Sequence, residues 1–206
     1  MELKNKVVIL TGAGSGIGKA LTVQLVKAGA KLAINDWDAT RLSETVNHLN
    51  LPSDRIFQQA FDVADRKAFE NFIDQSQQHF GAIDVLINNA GVSLGRFLWE
   101  EVTDENLHWL LDINLMAPMY SSRYILPHFK SRPEACLVFL SSLFGLAGIA
   151  NQVPYCISKF GIRGLGESLR MELMDTKVNV LNVHPGGIKT NIVRNGRMKD
   201  LTLIHI

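Results

Sequence analysis

An alternation restricts the fold of this chain more than any other feature. Six apolar runs of strand length, at 7–10, 31–35, 55–60, 85–88, 137–140 and 178–183, are separated by segments whose apolar residues recur at helical spacing. A strand that is apolar at nearly every position is buried on both faces, and helical crossovers make successive strands parallel. The pattern predicts an α/β fold, a doubly wound parallel sheet between two layers of helices. With 206 residues and no internal repeat or linker, the chain reads as a single domain over 1–206. A net charge of +1 without any basic block argues against nucleic acid or an anionic membrane as partner, and no run is long enough for a membrane span. The N-terminus leads straight into the first run without a signal-peptide pattern. Cys136 and Cys156 lack metal-site spacing, and the six histidines contain no His-x-x-x-His pair. The expectation is a cytoplasmic protein with reduced thiols and no metal.

The first run ends in Thr11-Gly12-Ala13-Gly14-Ser15-Gly16-Ile17-Gly18, and a helix follows at once. Glycines there let the backbone turn sharply and let a pyrophosphate approach the amides at a helix N-terminus. Such turns also serve tight packing, but a strand before and a helix after are the context that nucleotide binding requires. A Walker phosphate loop is disfavoured, because Ala13 stands at its first glycine and Ala20 at its Ser/Thr position. Asp36 closes the second run, 18 residues after Gly18. A carboxylate there can accept from adenosine ribose hydroxyls and repel a 2′-phosphate, which favours NAD over NADP. The alternative is a helix cap, a task that Asp38 can also perform. Asp62 and Val63 follow the third run, where a carboxylate and a backbone N–H can meet an adenine, or simply make a turn. Asn89, Ala90 and Gly91 end the fourth run and suit a ligand crevice at the carboxyl end of a central strand.

Residues 103–131 read as one long helix interrupted by Pro118. Proline has no N–H, so the carbonyl of Asn114, four residues earlier, loses its helical partner. A bend is expected there, with that carbonyl free to hold water. Ser142 ends the fifth run, thirteen residues before Tyr155, and Lys159 lies one helical turn beyond Tyr155 on the same face. A hydroxyl, a phenol and an ammonium brought together in this way can move a proton. Singly, the bland readings are a loop cap, a core tyrosine and a solvated charge. Pro154 suits the first turn of this last helix. Gly161, Gly164 and Gly166 permit close approach of the sheet or of a second subunit. His184, a lone histidine at a strand end, reads as structural. The glycines after Pro185 can present backbone amides to a carboxamide, and Thr190 can hydrogen-bond a phosphate or amide. Ser93, Leu94, Phe144, Leu146, Gln152 and Val153 are the candidate substrate wall, with Ser93, Phe144 and Gln152 foremost. Their apolar character suggests a lipophilic alcohol or ketone.

Taken together and in this order, Thr11-Gly12 with Gly16 and Gly18, Asn88-Asn89-Ala90-Gly91, Asn114, Ser142, Tyr155 with Lys159, and Pro185-Gly186 with Thr190 resemble the short-chain dehydrogenase/reductase family over essentially the whole chain. The resemblance implies a Rossmann fold of strand order 3-2-1-4-5-6 and a nicotinamide cofactor. The turn residues Thr11 to Gly18 would hold it together with Asp36, Asp62, Val63, Asn89 to Gly91, Tyr155, Lys159, Pro185, Gly186, Ile188 and Thr190. It also implies a catalytic set of Asn114, Ser142, Tyr155 and Lys159, and a homodimer or homotetramer joined through the two long helices. Family members usually continue into a further helix and a seventh strand, for which this sequence has no room. The expectation is either that the sequence is incomplete or that part of the substrate wall and the last strand are missing. In the implied chemistry Tyr155 is the acid/base, and Lys159 favours its phenolate against an ordinary pKa of about 10. Ser142 bonds the substrate oxygen, and water on Asn114 relays the proton. The rival expectations are a non-catalytic dinucleotide sensor or scaffold and a methyltransferase of similar fold.

Overall fold

The structure is a computed structural model that describes residues 1–188, 192, 196 and 197. Its centre is a six-stranded, all-parallel sheet of order β3-β2-β1-β4-β5-β6. The strands are β1 (Val7–Thr11), β2 (Lys31–Asp36), β3 (Ile56–Ala60), β4 (Val85–Asn88), β5 (Ala135–Leu140) and β6 (Val178–Val183). Helices α1 (Gly16–Lys27), α2 (Ala39–Leu49), α3 (Arg66–Phe80), α4 (Asp104–Leu111), α5 (Ala117–Lys130) and α6 (Val153–Glu172) connect them. This is the doubly wound arrangement and strand order expected. The order reverses between β1 and β4, so their carboxyl ends diverge and leave a crevice.

Alternate residues of each strand feed two cores. Val8, Leu10, Leu32 and Ile34 meet Leu25 of α1 and Leu42 of α2. Ile9, Leu86, Leu137 and Phe139 meet Phe72 of α3, Phe129 of α5 and Ile162 of α6 on the other face. Among the described residues the sheet is not covered evenly. The buried helical members of the first core come from α1 and α2, and Leu181 on the edge strand β6 is 49% exposed. Met119 and Tyr124 of α5 and Ile157 and Phe160 of α6 are exposed as well.

The helix expected over 103–131 is divided. Thr103 caps α4 through its hydroxyl, and Asp112–Met116 form a π-helical turn before α5 begins. Pro118 sits in the first turn of α5, where its missing N–H is tolerated. The irregularity is therefore a widened turn around Asn114 rather than a simple bend.

Of the three glycines in α6, Gly166 is held to the sheet. A Cβ there would lie 2.0 Å from Asn182 Oδ1 on β6. Gly161 faces Leu115 of the π-helical turn, and Gly164 faces open space. Replacing Gly166 by alanine should destabilise the chain by about 2 kcal/mol through overpacking, whereas Gly164→Ala should be neutral or slightly stabilising. Thermal denaturation of the pair checks this, and equal melting temperatures would contradict it.

Candidate active site

The crevice at the switch point is a cleft of about 400 Å³. Of the expected nucleotide residues, Gly12, Ser15, Gly16, Ile17, Gly18, Asp36, Asp62, Val63, Asn89, Ala90 and Gly91 line it. Gly12 and Gly16 hold φ of +68° and +51°, the left-handed region that favours glycine. A Cβ on Gly18 would lie 1.9 Å from the Gly12 carbonyl, so the start of α1 can approach β1 only without a side chain. Asp38, Asp65 and Thr103 cap α2, α3 and α4 with their side chains, whereas Ser15 gives α1 no such bond. No acidic residue stands in the first turn of α1 either. Its amides are thus left without a side-chain anion at the cleft, and a pyrophosphate fits there by charge and by space.

Thr11 and Gly14 shape the cleft without lining it. The Thr11 hydroxyl accepts from the N–H groups of Asn89 and Ala90 at 3.1 and 3.0 Å. Asn89 Nδ2 returns a bond to the Thr11 carbonyl at 2.8 Å, so the ends of β1 and β4 are tied across the crevice. Gly14 N–H donates to Asp36 Oδ2 at 2.8 Å, and Asp38 N–H donates to Asp36 Oδ1 at 3.1 Å. Asp36 therefore holds the turn in shape while facing the cleft. Asp38 is the cap of α2 and pairs with Arg41 at 3.1 Å. Asp62 Oδ1 accepts from Ala64 N–H at 2.9 Å, the turn role, yet the residue also lines the cleft.

Sequence reasoning missed Asn35, Trp37, Trp109 and Arg197 in the lining. Trp37 directly follows Asp36, and an exposed aromatic at that place was a readable signal. Asn35 Nδ2 donates to the Phe61 carbonyl at 2.9 Å, which ties β2 to the loop after β3. Arg197 carried no signal at all. It arrives from the C-terminal segment, lies 4.7 Å over the Trp109 ring and pairs with Glu105 at 2.7 Å.

Beside this cleft stands the second group. Gly91 joins the two, since a Cβ on it would be 3.3 Å from Asn114 Oδ1 and 3.6 Å from Lys159 Nζ. The π-helical turn places Asn114 in the interior, where its side chain accepts from Val92 N–H at 2.8 Å and donates to the Val92 carbonyl at 2.8 Å. Its Nδ2 also reaches Ser158 Oγ at 3.3 Å and so ties this turn to α6. The expectation for Asn114 concerned its carbonyl; these side-chain bonds were not foreseen.

Lys159 is 4% exposed, and Nζ donates to the Leu140 carbonyl at 2.9 Å. Burial lowers its pKa from 10.5 to about 8. Nζ lies 5.4 Å from the centroid of the Tyr155 ring. The Tyr155 pKa is raised, first by burial, against the lowering effect of Ser142. Burial of the phenol is thus the largest influence on its proton affinity. Ser142 Oγ also accepts from Phe144 N–H at 3.2 Å, and Ser141 Oγ donates to the Lys159 carbonyl at 2.8 Å. Among the substrate candidates, Phe144 meets the Tyr155 ring edge-on at 6.0 Å between centroids. Ser93 is buried, its hydroxyl donating to the Leu94 carbonyl at 2.8 Å, and Gln152 stands at the start of α6 without capping it. Pro185, Gly186 and Ile188 lie outside the cleft lining, and Thr190 lies outside the described residues.

A glycine turn opening on an uncapped helix at the switch point of a doubly wound sheet defines a nucleotide-binding α/β protein. The family is settled by comparison: the short chain dehydrogenase model matches residues 6–200, and the chain belongs to that family of oxidoreductases. An uncharacterized oxidoreductase of Thermotoga maritima is 35% identical over 187 residues, covering 90% of this chain and 73% of the relative. The 15-hydroxyprostaglandin dehydrogenase [NAD(+)] of Rattus norvegicus is 33% identical over 204 residues, covering 95% and 73%. A short chain dehydrogenase/reductase from Burkholderia phymatum, solved in complex with NAD, superposes with a TM-score of 0.89 at 29% identity, covering 93% of this chain and 69% of that one. No helix among the described residues is long and apolar enough to cross a membrane.

Proposed function

We propose that the protein transfers a hydride between NAD(H) and a small alcohol or ketone, with Tyr155 as the general acid/base. The observation that carries this reading is the convergence of Ser142, Tyr155, Lys159 and Asn114 beside Gly91, at the inner end of the nucleotide cleft. When bound, the nicotinamide supplies the hydride acceptor or donor. The protein's part is to hold and move a proton. Ser142 Oγ, beside the phenol whose pKa it lowers, is placed to bond the reacting oxygen and to stabilise charge on it. Tyr155 takes the hydroxyl proton in oxidation and returns it in reduction. Lys159 orients around the Tyr155 ring and contributes positive charge to the site, while the Asn114 side chain keeps the π-helical turn against α6. Asp36 faces the cleft as a carboxylate, which opposes a 2′-phosphate and favours NAD over NADP. The apolar rim of Phe144, Leu146 and Val153 favours lipophilic substrates.

A screen of alcohols with NAD and NADP, and of ketones with the reduced cofactors, followed at 340 nm, tests the proposal. Turnover with NAD(H) at least about tenfold above that with NADP(H) is expected, the factor that 1.4 kcal/mol of phosphate repulsion would give. NAD binding by calorimetry without turnover of any alcohol or ketone would place the protein among dinucleotide sensors instead.

A further inference from the structure

We infer that His184 is a positioning residue for Ser142, fixing where the Ser142 hydroxyl stands relative to the Tyr155 phenol. The inference rests on the catalytic reading of that pair. His184 follows β6 directly, where β5 and β6 part. Up to that point the backbone carries the pairing: Leu140 faces Val183, and Ser141 N–H donates to the Val183 carbonyl at 2.8 Å. Two residues on, Leu143 N–H donates to the Pro185 carbonyl at 3.1 Å. A parallel ladder would have residue 185 donate back between these two bonds, but proline has no N–H.

The side chain before it makes a bond one residue further along, to the Ser142 carbonyl. His184 Nδ1 lies 3.2 Å from the Ser142 carbonyl oxygen. A carbonyl can only accept, so Nδ1 carries the hydrogen and the tautomer follows from the contact. The same carbonyl accepts from Gly145 N–H at 2.9 Å. With two donors on it, the Ser142 peptide is held between the end of β6 and the 3-10 turn Leu143–Gly145. Ser142 itself is fully extended, with φ −166° and ψ 167°, so the orientation of this peptide sets the direction in which Oγ leaves the backbone. That hydroxyl stands beside the phenol and acts to lower its pKa. Releasing the histidine bond lets the peptide tilt and takes the hydroxyl out of line.

Displacements of this kind cost up to about 100-fold in rate, and His184→Ala is expected to lower kcat about tenfold with the KM for NAD unchanged. Asparagine can place its amide nitrogen where Nδ1 stands, whereas glutamine reaches toward Nε2. His184→Asn should therefore recover most of kcat and His184→Gln should not. In a Ser142→Ala background, His184→Ala should add no further loss, because it acts through a hydroxyl already removed. Nitrogen-15 NMR of the histidine rings should show His184 protonated at Nδ1 in the wild type. An equal loss from His184→Ala with and without Ser142, failure of asparagine to rescue, or a ring protonated only at Nε2 overturns the positioning role. Full turnover by Ser142→Ala alone overturns the catalytic reading beneath it instead.

Discussion

Tyr155→Phe is expected to lower kcat by about 10²–10⁴-fold, the usual worth of a positioned acid/base, while NAD binds as before. The two effects separate because the phenol stands apart from the lining of the nucleotide cleft. Phenylalanine keeps the ring that packs against Phe144 and under Lys159, so the loss is that of one hydroxyl. Burial raises the Tyr155 pKa, so the phenol is the form present at neutral pH in the unliganded chain. Reduction needs that protonated form and oxidation the phenolate. Oxidation should therefore accelerate as pH rises through the alkaline range, reduction should slow, and both trends should vanish in the residual activity of Tyr155→Phe. Steady-state kinetics across pH in both directions, with calorimetry of NAD, make the measurement. Near-normal turnover in the variant would remove Tyr155 from the mechanism.

Lys159→Met should abolish efficient turnover and yet make the unliganded protein more stable. A buried ammonium whose pKa falls from 10.5 to about 8 carries a folding penalty of about 3 kcal/mol at neutral pH. Removing it also leaves the Leu140 carbonyl without this donor, a loss of about 1 kcal/mol, so a net gain of about 2 kcal/mol remains. For a chain of this length that corresponds to a melting temperature raised by about 6 °C at pH 7. The folded chain gives up the Lys159 proton near pH 8 and the unfolded chain near pH 10.5. Between these values the unfolded chain binds more protons, so the wild type gains stability as pH rises and the advantage of the variant disappears. Thermal denaturation of both proteins at pH 7 and pH 10 tests this, and a variant that melts lower at pH 7 would contradict it. A variant that melts higher at pH 7 marks the lysine as a site group retained against stability for its chemistry.

The fold was legible because burial on both faces leaves a strong mark on a strand. Val8, Ile9, Leu10 and Leu86 cannot alternate with polar residues if helices cover them, and the helical segments between them oblige the strands to be parallel. The glycine turn was legible for a related reason: the positive φ at Gly12 favours glycine, and the approach of Gly18 to the Gly12 carbonyl leaves no room for a side chain. The clustering of Tyr155 with Lys159 followed from one helical turn. Pro118 marked the right place in the chain, since a missing N–H has only local consequences, but it did not say that the helix would widen into a π turn.

What the sequence determined by itself was therefore local or periodic: strands, crossovers, the nucleotide turn and the residue types of a proton-moving group. Tertiary structure decided how those residues are paired and charged. Asn114 finds Val92 and Ser158, Thr11 finds Asn89 and Ala90, and His184 finds Ser142, contacts between residues 22 to 79 positions apart. It also decided that Lys159 Nζ donates to the Leu140 carbonyl and that burial raises the Tyr155 pKa. Spacing along a chain reports which side chains share a face. Only the packing of one element on another sets the depth, the partners and the dielectric in which a phenol or an ammonium must titrate.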